Sequence, residues 1–244
     1  MLENLKELRE EVYEANMMLK EHNLVIFTWG NVSGIDKNRE YIVIKPSGVD
    51  YNKLTPGNMA VVNMQGEVID GELKPSSDTA THIELYKAYG EIGGVCHTHS
   101  LYATSFAQAY WNSDNIEPYG TTHADYFDGV IPCARAMKKK EIETDYEKNT
   151  GLLIVETLRK SKRSPLEMPA VLVKSHGPFT FGRNAKESSE HAVILENVAH
   201  MAFNAKILSY KSMLGDFSIS RELLRRHFDR KHGENAYYGQ GENK

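Results

Sequence analysis

The sequence predicts one α/β domain spanning residues 1–244, in which helices flank a central, mostly antiparallel sheet. Short apolar runs bounded by Gly, Pro and Asn recur along the chain, which is typical of strands. Segments with helical apolar spacing separate them without strict strand–helix alternation, which argues against an all-parallel sheet. Neither a repeat nor a Pro/Ser-rich linker divides the 244 residues, a length compatible with one large domain.

The first third of the chain is predicted to begin with an amphipathic helix, because apolar residues recur at helical spacing from Leu2 to Leu19. Strands are expected in LVIF and in YIVI, each of which runs into a polar, Gly-containing loop. The stretch MAVVNMQGEVIDG predicts two strands around a turn at Gly66. Asp78 or Thr79 is a candidate N-cap for the helix that follows.

In the rest of the chain an apolar run ends in His97 and His99, and Ser100 can cap the helix LYATSFAQAY. A polar loop that contains TTHADYFDG comes next, followed by a helix over about 147–159. Two further strands are expected in AVLVKSHG and PFTFG, before a long helix over about 185–208. The C-terminal stretch begins as a helix at SRELLRRHF.

The composition gives no overall attraction to nucleic acid or to membranes, because the net charge is −4 at pH 7. The N-terminal stretch is charged throughout and lacks the apolar core of a signal peptide, and no apolar run is long enough for a membrane span. Cys96 and Cys133 show no CxxC spacing, which fits a reducing compartment. We therefore expect a cytoplasmic protein that binds neither nucleic acid nor membrane.

The pattern HTH at the end of an apolar strand indicates a metal site. Side chains two residues apart in a strand share a face, so His97 and His99 project together, with Cα atoms about 7 Å apart. Two imidazoles on one face cost desolvation unless something satisfies them. His176 follows another apolar strand in a similar local pattern. Three histidines with an open position are typical of catalytic zinc.

Two alternatives remain open from the residues alone. The histidine pair also fits partly exposed polar residues at the edge of a sheet. Asp78, in the loop KPSSDT, is either a fourth metal ligand or the cap of the helix after it, and spacing does not separate these roles.

Three polar loops, GNVSG, KPSG and KPSSD, each follow a predicted strand. They combine hydroxyls, Gly-permitted backbone amides and a nearby lysine, which are the donors that a phosphate group requires. One such loop is ordinary turn composition, but three together predict a phosphorylated substrate. The nucleotide-binding pattern GxxxxGK[ST] is absent from the sequence.

Seven motifs resemble those of the L-ribulose-5-phosphate 4-epimerases of the class II aldolase superfamily. They are TWGNVSG, IKPSGVDY, KPSSDT, HTHS, GTTHADYF, SHGPF and the terminal RKHG…AYYGQ, and they occur in the same order over nearly the whole chain. The resemblance implies a single α/β domain and a C4 homotetramer with active sites between subunits. It also implies one divalent metal per subunit, usually Zn²⁺, and a small sugar phosphate as substrate.

The resemblance also implies roles for individual residues. His97, His99 and His176 would hold the metal, with Asp78 as a further ligand. The residues that it implies for the phosphate end of the substrate are Gly30, Asn31, Lys45, Ser47, Gly48, Ser76 and Ser77.

The implied acid/base pair is Asp125, in THAD, and Tyr238, in YYGQ, both reached across a subunit interface. The C-terminal tail, 228–244, would thereby contribute to the active site. Without the resemblance, Asp125 reads as a loop carboxylate and Tyr238 as a residue of a frayed tail. Which of the two acts on which face of the substrate stays open.

The activity implied is interconversion of L-ribulose 5-phosphate and D-xylulose 5-phosphate by cleavage and re-formation of the C3–C4 bond. An alternative is a class II aldolase of the fuculose- or rhamnulose-phosphate type, although similar aldolases typically carry Glu where this chain has Asp78. A zinc hydrolase is disfavoured by the phosphate loops and by the absence of HExxH. An inactive metal-binding protein is disfavoured because every candidate position is occupied. The supplying pathway (arabinose, ascorbate or another pentose route) stays open.

Overall fold

The computed structural model describes residues 5–109, 115–209, 218–234 and 236. Eight strands within them form one sheet in the order β4-β3-β2-β1-β5-β8-β7-β6. Every neighbouring pair is antiparallel except β6 and β7, so the predicted mostly antiparallel sheet is confirmed. The strands are β1 Asn31–Ile35, β2 Tyr41–Ile44, β3 Ala60–Asn63, β4 Val68–Asp70, β5 Gly94–His97, β6 Cys133–Ala134, β7 Ala170–Val173 and β8 Gly177–Gly182.

Eight α-helices lie in the described part of the chain, and none has the length and apolar character needed to cross a membrane. The six longest fall where the sequence predicts helices, whereas the short α4 and α5 fall in stretches without helical apolar spacing. The helices are α1 Lys6–Glu21, α2 Thr79–Ala88, α3 Leu101–Gln108, α4 Thr121–Ala124, α5 Lys139–Glu143, α6 Tyr146–Ser161, α7 Ala185–Ser209 and α8 Arg221–His232.

Apart from the edge strand β4, the sheet is largely buried on both faces, which makes three layers. Helices α2 and α6 cover one face, and α1, α3 and α7 cover the other. Strand β5 shows the alternation: Val95 packs toward α2 and α6, whereas Cys96 packs toward α1 and α7. Cys96 is therefore a buried apolar residue in the middle of the sheet. These observations confirm a single α/β domain.

The predicted strand LVIF is wrong. Strand β1 begins only at Asn31, and the side chains of Ile26 and Phe27 are 55% and 76% exposed. Phe27 and Gly30 adopt positive φ angles of 55° and 73°, which interrupt an extended backbone. The hydroxyl of Tyr51 donates to the carbonyls of Trp29 and Gly30 and fixes this bend. The apolar run is thus a loop that leads into the sheet, with Leu24 buried in the core and Ile26 and Phe27 exposed.

Strand β5 lies unusually close to the turn that precedes α7. A Cβ added at Gly94 would come within 2.0 Å of the carbonyl oxygen of Asn184 and 2.7 Å of the Cα of Ala185. Only glycine permits this approach, because any side chain would overlap the backbone of the turn. His97 stands at the other end of the same strand, so this contact fixes the strand that carries it.

Candidate metal centre and anion-binding cavity

Three histidines converge at one end of the central strands. His97 ends β5, His99 lies two residues beyond it, and His176 lies in the turn between β7 and β8. Because His97 pairs with Phe179 of β8, that turn lies beside the end of β5. One ring nitrogen from each histidine lies within 4.8 Å of those of the other two. The structure thus contains a three-histidine site at the place where the HTH pattern predicts it.

The orientation of His97 is fixed by two contacts. Its Nδ1–H donates to the carbonyl of Pro178 at 2.9 Å, and its ring stacks on Phe179 with a centroid distance of 4.2 Å. Because a carbonyl only accepts, Nδ1 carries the proton and Nε2 presents a lone pair. That Nε2 lies 3.0 Å from Nε2 of His99. Two ring nitrogens this close need a proton or a cation between them, which fits a shared metal ion.

The charge state of the histidines also fits a metal. Burial lowers the pKa of His97, His99 and His176, and the neighbouring carboxylate of Asp78 only partly opposes this. The rings are therefore neutral near pH 7. Neutral imidazole is the form that binds a metal, so no proton has to leave first. His97 is 2% exposed, which excludes a partly exposed sheet-edge residue at that position, whereas His99 is exposed.

Asp78 lies beside this site and does not cap a helix. It occupies the N-cap position of α2, but its side chain makes no capping hydrogen bond. Its Oδ2 instead accepts from Nδ2 of Asn31 at 2.7 Å. Burial raises the pKa of Asp78, but His97, His82 and the Asn31 bond outweigh it, so the net pKa is lowered and the group is a carboxylate. Its ligand atoms are not within the three-histidine group, and its role as a further ligand stays a prediction.

A cavity of about 290 Å³ adjoins the histidines. Asn31 and Asp78 line it, and the ring of Trp29 at its wall lies 6.1 Å from the ring of His99. The structure brings all the residues named for the phosphate end together around this cavity, although that role stays a prediction. The lining residues are Thr28, Trp29, Gly30, Asn31, Lys45, Pro46, Ser47, Gly48, Ser76, Ser77 and Asp78.

The two KPS loops meet at this cavity. They form an isolated antiparallel bridge, in which the amide of Ser47 donates to the carbonyl of Lys74 at 2.9 Å. The amide of Ser76 donates to the carbonyl of Lys45 at 3.1 Å. These two amides thus hold the loops together. The serine hydroxyls and the Lys45 ammonium, rather than these amides, are the donors that the loops present to an anion.

Lys45 is a buried cation at the cavity wall. Its Nζ donates to the carbonyls of Thr28 and Pro46 at 3.3 and 3.4 Å, and it lies 4.9 Å from the centre of the Tyr51 ring. Burial lowers its pKa to about 8, although Asp50 acts in the opposite direction. A buried ammonium whose hydrogen bonds go to neutral carbonyls is a favourable partner for a bound anion.

Asp125 follows α4 and is bound by side chains of α8. Arg230 donates to its two oxygens at 3.0 Å from Nε and 2.6 Å from Nη2, and Nδ1 of His227 lies 3.0 Å from Oδ1. Burial raises the pKa of Asp125, but the bonds from Arg230 and His227 outweigh this, so the net pKa is lowered. Helix α4 packs against α8 and lines a cavity together with α7, on the face of the sheet opposite His97. Tyr238 lies outside the described residues.

Sequence reasoning missed a tyrosine at the histidine site. The hydroxyl of Tyr146, the first residue of α6, lies 3.5 Å from Nδ1 of His176. No motif or spacing marks Tyr146, because only the packing of α6 brings it to the turn that carries His176. For the same reason, the pairing of Asp125 with Arg230 and His227 of α8 was not predicted, although Arg230 lies in the motif RKHG.

A family model described as "Class II Aldolase and Adducin N-terminal domain" matches residues 10–203. Among solved structures, the chain is similar to an L-fuculose 1-phosphate aldolase, with 19% identity, a TM-score of 0.70 and coverage of 92% of this chain and 95% of the other. YgbL from Klebsiella pneumoniae gives 20% identity, a TM-score of 0.71 and coverage of 90% and 97%. The L-fuculose-1-phosphate aldolase of Thermus thermophilus gives 21% identity, a TM-score of 0.66 and coverage of 84% and 97%. At these identities the structures share the fold.

Proposed function

Since the chain belongs to the class II aldolase and adducin N-terminal domain family, we propose that it is a metal-dependent enzyme acting on sugar phosphates. More specifically, we propose a 4-epimerase that interconverts L-ribulose 5-phosphate and D-xylulose 5-phosphate. The observation that carries the proposal is the contact between a three-histidine site and a cavity lined by Lys45 and serines. The sugar oxygens of such a substrate would bind at the three-histidine site, and its phosphate would bind in the cavity.

His97, His99 and His176 would hold one divalent ion, and we propose Zn²⁺ because three histidines with an open position are typical of catalytic zinc. Asp78 is the proposed further ligand, and its bond from Asn31 orients it. When bound, the ion supplies Lewis-acid stabilisation of the negative charge that C3–C4 cleavage leaves on the fragment with the C2 carbonyl. Three histidine ligands would leave further positions on the ion for Asp78 and for substrate oxygens.

Lys45 and the hydroxyls of Ser47, Ser76 and Ser77 would hold the phosphate of the substrate. Because the phosphate is anchored, the aldehyde fragment formed by cleavage would be retained rather than released, which supports an epimerase over an aldolase. After cleavage, the two-carbon aldehyde fragment stays attached through its phosphate and turns about its own axis. Its opposite face then meets the three-carbon fragment, so the C4 configuration is inverted when the bond forms again.

The reaction needs two proton transfers at the C4 oxygen. A base takes the C4 hydroxyl proton as the C3–C4 electron pair moves to the C2–C3 fragment, and an acid returns a proton when the bond re-forms. We propose Asp125 and Tyr238 for these roles. Because Asp125 lies on the opposite face of the sheet from His97 within one chain, it would act on the histidine site of a second copy. This supports the proposed homotetramer with sites between subunits.

A class II aldolase is the second candidate, because two of the similar structures bear the name L-fuculose 1-phosphate aldolase. Such an enzyme would use the same metal and phosphate sites but release its aldehyde. Asp78 supports the epimerase instead. Its side chain is one methylene shorter than Glu and is held by Asn31, so it suits a ligand role better than the proton transfer for which a longer Glu could serve.

The test is to incubate Zn²⁺-loaded protein with L-ribulose 5-phosphate and identify the products. The epimerase predicts D-xylulose 5-phosphate, with no accumulation of glycolaldehyde phosphate. Accumulating glycolaldehyde phosphate would move the assignment to an aldolase. No conversion of this or the related ketose phosphates would reject both.

Metal dependence is tested with a matched pair of variants. His97→Ala should lose the ion and the activity, because it removes a ligand at the centre of the site. His200→Ala is the control, since His200 is exposed on α7 and its ring stacks on Tyr102 rather than facing the three histidines. Metal content per chain and turnover are measured for both. Full metal content in His97→Ala would reject the site.

A further inference from the structure

We infer that Tyr146 is a positioning residue for the metal centre: its hydroxyl accepts the Nδ1–H of His176 and directs Nε2 of that ring toward the ion. The inference rests on the proposed function only in that His176 is taken as a metal ligand. The contact that carries it is the 3.5 Å distance between the Tyr146 hydroxyl and Nδ1 of His176, which is long for a hydrogen bond but within reach of one.

The comparison with His97 explains why His176 needs such a partner. A metal-binding histidine normally donates its second ring N–H to an acceptor, which fixes the tautomer and the orientation of the ring. For His97 the acceptor is the carbonyl of Pro178 at 2.9 Å. His176 lies in a turn rather than in a strand, and Tyr146 is the acceptor that the structure brings to its Nδ1.

Tyr146 is held firmly enough to orient a neighbour. The carbonyl of Glu147, in the same helical turn, accepts a 2.6 Å bond from the hydroxyl of Thr81 on α2. Gly151 lets the two helices approach, because a Cβ there would lie 2.9 Å from the carbonyl oxygen of Thr81. Helix α2 also begins directly after Asp78. One helix contact therefore fixes Tyr146 relative to both Asp78 and the histidine site.

The hydroxyl also stays in the form that this role needs. Burial raises the pKa of Tyr146, and the carboxylates of Asp78 and Glu147 raise it further. The neutral phenol keeps its oxygen lone pairs for His176 and its own hydrogen for a second acceptor. It adds no charge to the site, so its contribution is orientation rather than electrostatic attraction.

The test measures Zn²⁺ affinity of metal-free protein by competition with a chromophoric chelator. Tyr146→Phe should weaken Zn²⁺ binding about 10–100-fold, the usual effect of losing such a partner. Tyr89→Phe is the matched control and should bind as wild type. Tyr89 is also half-buried at the α2–α6 contact, but its hydroxyl donates to the carbonyl of Val155. Equal affinity of Tyr146→Phe and wild type would overturn the inference.

A second readout reports on His176 directly. In ¹⁵N spectra of the metal-free protein, His176 should be a single tautomer with the proton on Nδ1, and Tyr146→Phe should convert it to a mixture. The same single tautomer in both proteins would overturn the assigned role. Neither readout needs turnover, so absence of epimerase activity would reject the proposed function and leave this inference standing. Full metal retention by His97→Ala would reject both.

Discussion

At the scale of residues, Lys45 makes the proposed substrate binding depend on pH. Burial lowers its pKa from 10.5 to about 8, so the ammonium is charged below that pH and neutral above it. Because the phosphate is already a dianion there, the attraction between the two is present below pH about 8 and is lost as the pH rises through it. The pH dependence of kcat/KM reflects the ionisation of groups in the free enzyme. We therefore expect kcat/KM to fall as the pH rises, with a midpoint at the pKa of Lys45.

The measurement is a pH profile of kcat/KM for three proteins. Lys45→Arg should move the alkaline fall to higher pH, because guanidinium remains protonated. Lys45→Met should lose about 2–5 kcal/mol of substrate binding, the usual effect of removing one partner of a buried charge pair. Lys53→Met, at an exposed position, serves as the control. If kcat/KM of Lys45→Arg falls at the same alkaline pH as that of the wild type, a group other than Lys45 causes the fall.

The residues of the site differ in how far the sequence predicts them. His97 and His99 could be predicted because side chains two residues apart in a strand lie on the same face. His176 could be predicted because it follows a second apolar strand. Tyr146 and Arg230 could not be found this way. Tyr146 reaches His176, and Arg230 reaches Asp125, only because of how their helices pack. No local sequence pattern encodes that packing.

At the scale of elements, the strand that carries His97 depends on a close backbone contact. Gly94→Ala would place a Cβ 2.0 Å from the carbonyl oxygen of Asn184, so β5 and the turn before α7 must separate. We expect a loss of about 1–3 kcal/mol in the free energy of unfolding, the usual cost of overpacking. Weaker Zn²⁺ binding should accompany it, because His97 moves with the strand.

Denaturant unfolding of Gly94→Ala and Gly90→Ala tests this expectation. Gly90 is exposed in the turn after α2, and a Cβ there meets no atom within 4 Å. Gly90→Ala should therefore leave the unfolding midpoint unchanged. Equal stability of the two variants would mean that the contact at Gly94 relaxes without cost.

The elements also show where reasoning from patterns fails. YIVI is strand β2 as predicted, because its apolar residues extend without interruption between turns. LVIF has similar composition but is a loop, since Phe27 and Gly30 adopt positive φ and Tyr51 holds the bend. A tertiary hydrogen bond overrides β-propensity there. Helix α4, with four residues, is too short to show helical spacing.

At the scale of the whole molecule, the site is proposed to form between copies of the chain. Asp125 lies on the α7 side of the sheet and His97 faces α2 and α6, so we propose that they serve one substrate when they come from different copies. If Asp125 acts in the neighbouring site, His97→Ala and Asp125→Asn should each be inactive alone. Mixing them under subunit exchange should restore activity in about a quarter of the sites.

The mixing experiment is read as turnover of L-ribulose 5-phosphate after exchange, with each variant mixed with itself as the control. Recovery of activity in the mixture alone supports a site shared between subunits. Absence of recovery, with exchange verified by differently tagged chains, would place Asp125 outside the neighbouring site and leave it as the partner of Arg230 and His227 within one chain.

In the proposed reaction, a metal at the three histidines and the substrate phosphate at Lys45 together allow the C3–C4 bond to break. In that route the C4 hydrogen never leaves its carbon, which becomes an aldehyde carbon and then C4 again. The most direct measurement is therefore conversion of L-ribulose 5-phosphate deuterated at C4, in ordinary water. We expect D-xylulose 5-phosphate that retains the deuterium at C4. Loss of the deuterium to solvent would mean that C4 is deprotonated instead, and would rule out inversion by cleavage of the C3–C4 bond.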